Sequence, residues 1–434
     1  MWRQEYLREL LRPYYLRWIY FRYRPNARPP HFAQCWRYPN APLGELTSPA
    51  ANRPGVVFYP MNDWHARFQR TQQLATALSR AGYRCLYLNP NLGRQFEQLR
   101  YQSPQHRIGI LGEDLYELHV RLPREPVFHH RRLTAAETAI VQEAVAAALD
   151  ELRMSPVVQL VSFPLWFEAA SALRRARSLP LVYDCHDLLQ GFGNVALELV
   201  AAEERQLPDA DLVLFSSERL REHFAAREQM FAGRTLLLRN AVDFEQFSAA
   251  PESEAPLSTA VYSGALADWF DTDAVRAAAR ATPECRISLI GSPETRQVRE
   301  LASEPNVHLL GEVPYDRLPS LLGQSRVGLI PFKVNELTLA TNPIKLYEYF
   351  SLGMPVVSSR LPEVEQFRDL VYIAADSAGF AGALHDALRE DDPERRLRRK
   401  AVAREESWGA RATLLSAEFQ HLSQGTSQHR TALL

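Results

Sequence analysis

Lys345 and Glu348 stand three residues apart in the stretch Pro331 to Ser359, PFKVNELTLATNPIKLYEYFSLGMPVVSS, a spacing that sets an ammonium and a carboxylate side by side on one helix face. Together they offer the chemistry of nucleotide recognition. A diphosphate takes the cation, and a ribose diol takes the carboxylate, whose two oxygens accept from two vicinal hydroxyls. The same spacing also describes a surface ion pair that stabilises by only about 0.2–0.5 kcal/mol. Of 50 basic residues only Lys333, Lys345 and Lys400 are lysines, and two of them fall in this stretch. In a chain that otherwise uses arginine, a compact ammonium suits a point contact with an oxyanion better than a planar fork does.

The elements around the pair are legible. The apolar run VGLIPF, Val327 to Phe332, reads as a buried strand that empties into the polar loop KVNELTLATN. Thr341 or Asn342 then serves as N-cap, Pro343 suits the first helical position, and Ile344, Tyr347 and Ser351 mark one face. Gly353 ends the helix and MPVVSS is the next strand, which makes a parallel crossover of an α/β fold. Ligands of such sheets lie beyond the carboxyl ends of the strands, where a helix N-terminus attracts anions.

Other candidates sit at comparable positions. LVYDC runs directly into His186 and Asp187, an imidazole and a carboxylate at a strand's carboxyl end, where packed or surface roles are also open to them. Gly264 and Ala265 leave the end of the strand TAVYSG without bulk, so a phosphate could approach backbone N–H groups there, or the glycine simply serves a turn. Trp64, His65 and Arg67 crowd the loop after VVFYP, in which Asn62 or Asp63 is equally suited to capping the next helix. That loop has no GxGxxG, which argues against a dinucleotide enzyme.

At 434 residues, 46% of them hydrophobic, the chain is long enough for two cores. A net charge of −1 gives no global attraction to nucleic acid. Cys35, Cys85, Cys185 and Cys285 are scattered, which argues for a reducing compartment and against a zinc site or disulfide framework. No apolar run approaches the ~18 residues of a membrane span, and no secretion-signal core is evident, so the expected location is cytoplasmic. Residues 1–54 form a basic, aromatic arm and linker. Within it, residues 1–24 interleave arginines with Trp2, Tyr6, Trp18 and other aromatics, a composition suited to an anionic membrane surface and equally to an arm packed on the body. One Rossmann-like domain is expected over residues 55–250 and another over 257–390. Residues 391–434 follow as a C-terminal helix and a tail without structure after Ser423.

Taken together, the HD pair, DLVLFSS followed by LLLRNAVDFEQF, then YSGAL, LGEVPYDRLPSLL and NPIKLYEYFSLGMPVVSS resemble a GT-B glycosyltransferase of the family-4 kind, most of all the bacterial enzymes that build surface polysaccharides. The resemblance covers roughly residues 55–390. It implies an α/β GT-B fold of two Rossmann-like domains facing a cleft. It also implies retaining transfer from a nucleotide-diphosphate sugar to a glycan or lipid-linked acceptor, with no metal and no cofactor beyond the donor itself. By the resemblance Glu348 lies on the nucleotide ribose, Val313 beside the base, Gly264 near the diphosphate and His186 by the donor sugar, with Asp187 positioning the imidazole or the acceptor. Two departures stand out. The first glutamate of the family's Glu-x7-Glu falls at position 340, which is alanine, and the Arg and Lys that commonly follow the glycine of YSG are missing. Lys345 and Lys333 are the candidates to take over the diphosphate, and Thr341, Asn342 or Glu336 the candidates to contact the sugar. The alternatives are a GT-B sugar-nucleotide epimerase or hydrolase, and a catalytically silent nucleotide-sugar-binding partner.

Overall fold

The computed structural model describes residues 51–90, 92, 106–122, 129–225, 234–250 and 258–431. The arm at residues 1–24 lies outside the described residues. Two sheets account for the architecture. The first runs through β1 (Arg53–Tyr59), β2 (Arg84–Leu88), β3 (His106–Gly112), β4 (Leu115–Val120), β5 (Met154–Val161), β6 (Leu181–Cys185), β7 (Leu212–Phe215) and β8 (Thr235–Leu237). Their spatial order is β3-β4-β2-β1-β5-β6-β7-β8, parallel except for the antiparallel β3–β4 edge pair. The second sheet holds β9 (Thr259–Ser263), β10 (Arg286–Ile290), β11 (Val307–Gly311), β12 (Val327–Ile330), β13 (Val356–Ser359) and β14 (Val371–Ala374), in the order β11-β10-β9-β12-β13-β14 and parallel throughout. Strands such as VVFY and VGLI are apolar on both faces because helices cover both sides, as a parallel sheet requires.

Two features depart from the sequence expectation. The β3–β4 pair extends the first sheet where the sequence signalled no strands. The helix Trp408–Thr431 continues past Ser423 and does not stay with the second domain. Its Trp408, Ala412, Leu415, Phe419 and Leu422 are buried in the first domain's core, against Leu74, Leu78 and Tyr83. The apolar spacing that holds the helix together is thus consumed by the domain the chain left 150 or so residues earlier.

Where the domains meet, buried polar groups tie them together. Asn240 donates its backbone N–H to the Asn342 side chain at 2.9 Å and its amide to the Asn342 carbonyl at 2.6 Å. Asn342 donates to Tyr347 and Glu363 at 3.0 Å each, and Glu363 accepts from Arg239 at 2.7 Å and from the Glu218 N–H at 3.0 Å. Ser217 donates to the carbonyl of Ala340 at 2.6 Å.

Candidate functional site

The helix Ile344–Ser351 is held deep in the second domain. Its residues Leu346 to Ser351 are all buried, so it has no solvent face of the kind a single apolar stripe would leave. Gly328 on β12 makes room for it: a Cβ there would come 2.4 Å from the Tyr349 ring. Tyr349 in turn accepts from the Ser263 N–H at 3.1 Å, which locks the helix to the end of β9. Pro343 occupies the N-cap and not the first helical position, and no side chain caps the helix. Thr341 and Asn342 do not perform that service because both are engaged elsewhere. Thr341 donates back to the Leu337 carbonyl at 2.9 Å, and Asn342 is used across the domain junction. The first-turn N–H groups of this helix therefore have no side-chain acceptor.

Lys345 and Glu348 project from the first two turns. The Lys345 ammonium lies 4.7 Å from the centroid of the Phe332 ring and 5.2 Å from that of Tyr262, contacts that favour a cation. Its stem runs beside Gly264, where an added Cβ would sit 3.3 Å from Cε and 3.6 Å from Nζ. Gly264 has φ +133, and a Cβ on the neighbouring Gly291 would meet the Gly264 carbonyl oxygen at 1.9 Å, so this turn is built from glycine on both strands. Glu348 is 5% exposed, which removes the surface-ion-pair reading. Among the described residues neither the Lys345 ammonium nor the Glu348 carboxylate holds a hydrogen bond or a contact ion pair. Burial lowers Lys345 to about 8, against the attraction of Glu348, and raises Glu348 to about 7, against the attraction of Lys345. The buried Tyr315 hydroxyl is pushed up by burial and further by the Glu348 charge, which places it at the same wall. Val313 lies on the same segment, half-buried against the second core.

Lys333 is exposed and its ammonium donates to the Asp268 carbonyl at 2.8 Å, so it fastens the loop after Gly264 to the loop after β12. Glu336 is exposed too, 3.9 Å from Arg219. Ala340, at the position of the absent glutamate, is 2% exposed and packs with the first domain's core.

His186 and Asp187 follow β6 in the first domain. His186 Nδ1 lies 3.0 Å from the Asp184 carbonyl, whereas Nε2 is 3.7 Å from Asp187, beyond hydrogen-bond reach. The group that orients the imidazole is therefore the Asp184 backbone carbonyl. Burial raises the Asp187 carboxyl, opposed by His186 and by Arg70. The following loop reaches the second domain, with Phe192 edge-on to Trp269 at 5.8 Å.

Beneath this loop lies a pair, Arg70 and Asp184, that no motif in the sequence announces. Arg70 Nε lies 3.0 and 2.9 Å from the two Asp184 oxygens, its NH2 donates to Oδ1 at 2.8 Å, and its NH1 donates to Asn240 at 2.9 Å. A carboxylate inside the apolar run LVYDC was the available signal, since a buried charge requires a partner. A further cluster lies in the first domain. Asp63, His65 and Glu117 present ligand atoms within 4.8 Å of one another, an arrangement able to hold a cation. Glu117 is already engaged, at 3.0 Å by both His65 and His119 and at 2.7 Å by Asn89. Burial would raise its carboxyl, but the two imidazoles hold it well below the usual range.

Two parallel-sheet domains meeting at a cleft, with candidate groups on both walls, define a GT-B fold. Comparison with known proteins agrees. Residues 261–390 match the family described as Glycosyl transferases group 1. A putative teichuronic acid biosynthesis glycosyltransferase of Bacillus subtilis is 26% identical over 257 residues, covering 52% of this chain. The match spans 64% of that relative's length. Among solved structures, sucrose-phosphate synthase from Thermosynechococcus elongatus superposes with a TM-score of 0.64 at 16% identity, over 86% of this chain and 100% of its own. An Anabaena protein in complex with UDP and glucose gives 0.59 at 14%, over 85% and 100%. The E. coli trehalose-6-phosphate structure bound with UDP-2-fluoro glucose gives 0.60 at 13%, over 84% and 98%. The chain resembles GT-B glycosyltransferases of surface-polysaccharide assembly.

Proposed function

We propose that this protein is a retaining glycosyltransferase that moves a sugar from a nucleotide-diphosphate sugar to a glycan or lipid-linked acceptor in the assembly of a cell-surface polysaccharide. The observation that carries the reading is the Lys345–Glu348 pair, a cation and a carboxylate without hydrogen-bond partners at an uncapped helix N-terminus beside Gly264. In this reading Glu348 accepts from the ribose hydroxyls and Val313 borders the base. The Gly264 turn lets the diphosphate approach backbone N–H groups. The bond from the anomeric carbon to the diphosphate oxygen breaks, the diphosphate keeps the electron pair, and the acceptor hydroxyl joins that carbon on the same face, passing its proton to the departing diphosphate oxygen. Lys345 and the helix N-terminus stabilise the growing negative charge, while His186, held by Asp184, orients the donor sugar. The nucleotide sugar is a substrate, and no resident cofactor or metal takes part in the step as proposed.

The test is turnover of UDP-, GDP-, ADP- and dTDP-sugars with and without crude lipid-linked acceptors. Acceptor-dependent release of the nucleoside diphosphate supports transfer. Release without acceptor moves the assignment to a hydrolase or epimerase, and binding without release to a silent partner.

No helix among the described residues is long and apolar enough to cross a membrane. The arginines and aromatics of residues 1–24 support a proposed peripheral contact with anionic lipid, at about 1 kcal/mol per charge near the surface. The intact protein then sediments with anionic vesicles at low salt, and a variant lacking residues 1–30 does not. Equal sedimentation of both rejects the contact.

A further inference from the structure

The loop of residues 62–69 belongs to the first domain, yet its Arg67 reaches the second. The loop is stitched in place from below: the Gln72 amide donates to the carbonyls of Asp63 and Arg67 at 3.1 and 3.0 Å, Asn62 donates to Gln69 at 2.9 Å, and Tyr87 donates to the Asn62 carbonyl at 2.6 Å. Beside Arg67, Phe68 packs on Tyr315 of the second domain with ring centroids 5.1 Å apart. The Arg67 guanidinium donates to Glu312 and lies 3.7 Å from Glu294. Glu294 is tied by its backbone to Leu266 at 3.1 Å, so it flanks the Gly264 turn.

Three observations indicate that this guanidinium is placed for something other than its two carboxylates. Its Nε is buried without a hydrogen-bond partner among the described residues, an arrangement that native structures complete with water or a ligand. Its charge adds to the lowering of Lys345, and both cations flank the Gly264 turn, Lys345 by its stem and Arg67 through Glu294. The Arg67 charge also works against the burial-driven rise of the Tyr262 hydroxyl, whose ring Lys345 rests on. Two cations drawn together from opposite domains call for an anion between them.

We propose that Arg67 is a diphosphate-binding residue supplied by the acceptor-side domain, exchanging Glu312 for the donor's diphosphate and so coupling donor binding to contact between the two domains. The inference rests on the nucleotide-diphosphate reading of the Lys345–Glu348 site. A planar fork from one wall and a point charge from the other would hold a diphosphate on two sides, and the charge that grows on the leaving group would meet both.

Calorimetric titration separates the possibilities, with UDP, GDP, ADP and dTDP as probes and the corresponding nucleosides as controls. For the diphosphate that binds the wild type, Arg67→Ala weakens affinity by about ten- to a hundredfold, Arg67→Lys recovers part of it, and nucleoside affinity is unchanged in both. Glu312→Gln, which releases the guanidinium, strengthens diphosphate binding in the wild type and not in an Arg67→Ala background. Wild-type diphosphate affinity in Arg67→Ala overturns the assignment and leaves the Lys345–Glu348 reading standing. Equal loss for nucleoside and diphosphate overturns it by showing a structural role, and an equal gain from Glu312→Gln in both backgrounds does so by showing repulsion alone. A wild type that binds none of the four diphosphates overturns both.

Discussion

Two of the internal cation–carboxylate pairs, Arg70–Asp184 and Lys345–Glu348, are built in opposite ways. Arg70 and Asp184 meet through three hydrogen bonds of 2.8 to 3.0 Å, and the third guanidinium nitrogen donates to Asn240. Lys345 and Glu348 attract one another but make no contact, and both are shifted toward their neutral forms by burial. A buried charge pair is tolerated when its hydrogen-bonding capacity is filled. The first pair is filled from within the protein and fixes the strand end that carries His186. The second is left open, and groups so perturbed cluster where a ligand completes them. The difference sets a structural pair apart from the pair proposed to meet the nucleotide, without reference to any relative.

The largest effect expected from breaking this comparison is on stability. Removing one partner of the filled pair, as in Asp184→Ala, strands a buried guanidinium and destabilises by about 3–5 kcal/mol. Lys345→Met, which keeps a similar stem between Tyr262 and Phe332, leaves the thermal midpoint close to the wild type. Equal falls in both midpoints would erase the distinction.

Next in size is catalysis. Lys345→Ala lowers kcat by roughly a hundred- to a thousandfold, the usual consequence of removing a donor to charge that develops in the transition state. Lys333→Ala changes kcat by only a few fold, because its ammonium is spent on the Asp268 carbonyl at the rim. Full turnover in the Lys345 variant would remove the proposed leaving-group role.

Smaller again is the nucleotide term. Glu348→Gln weakens nucleotide binding by about 1–3 kcal/mol, read by calorimetry, with the fold intact by circular dichroism. Unchanged affinity would take Glu348 off the ribose.

The smallest effect is a pH profile expected of the open pair. Below about 7 Glu348 gains a proton and loses an acceptor for the ribose, and above about 8 Lys345 loses the charge that meets the diphosphate. Nucleotide affinity therefore peaks between these values and falls on both sides. The Lys345→Met variant loses the alkaline limb and keeps the acidic one. A flat profile from 6 to 9 would contradict the open-pair account.

Much of this arrangement was legible in the sequence because it follows local rules. Buried runs such as VGLI and the alternation of strands and helices announced parallel sheets, and the spacing of Lys345 and Glu348 set them on one helix face. What was not legible depends on which surfaces meet. Asn342 has the chemistry of an N-cap, but Asn240 and Glu363, about a hundred and about twenty residues away, claim it first. Asp184 advertises a missing cation without saying that Arg70 supplies it. Trp408 to Leu422 show helical spacing, yet nothing local tells that their partner is the first domain. The hairpin of β3 and β4 carries His106, Arg107, Glu117 and His119, too polar for the pattern of a sheet strand; the buried Glu117 is satisfied by His119 within the strand and by His65 and Asn89 from outside it.

The most direct test of the central claim is a calorimetric comparison of wild type and Lys345→Met, each titrated with UDP, GDP, ADP and dTDP and with the four nucleosides. The expected result is that the wild type binds at least one diphosphate more tightly than its nucleoside, and that Lys345→Met abolishes most of that difference while leaving nucleoside affinity in place. A wild type that binds no diphosphate, or a variant that keeps the full preference for diphosphate over nucleoside, would contradict it.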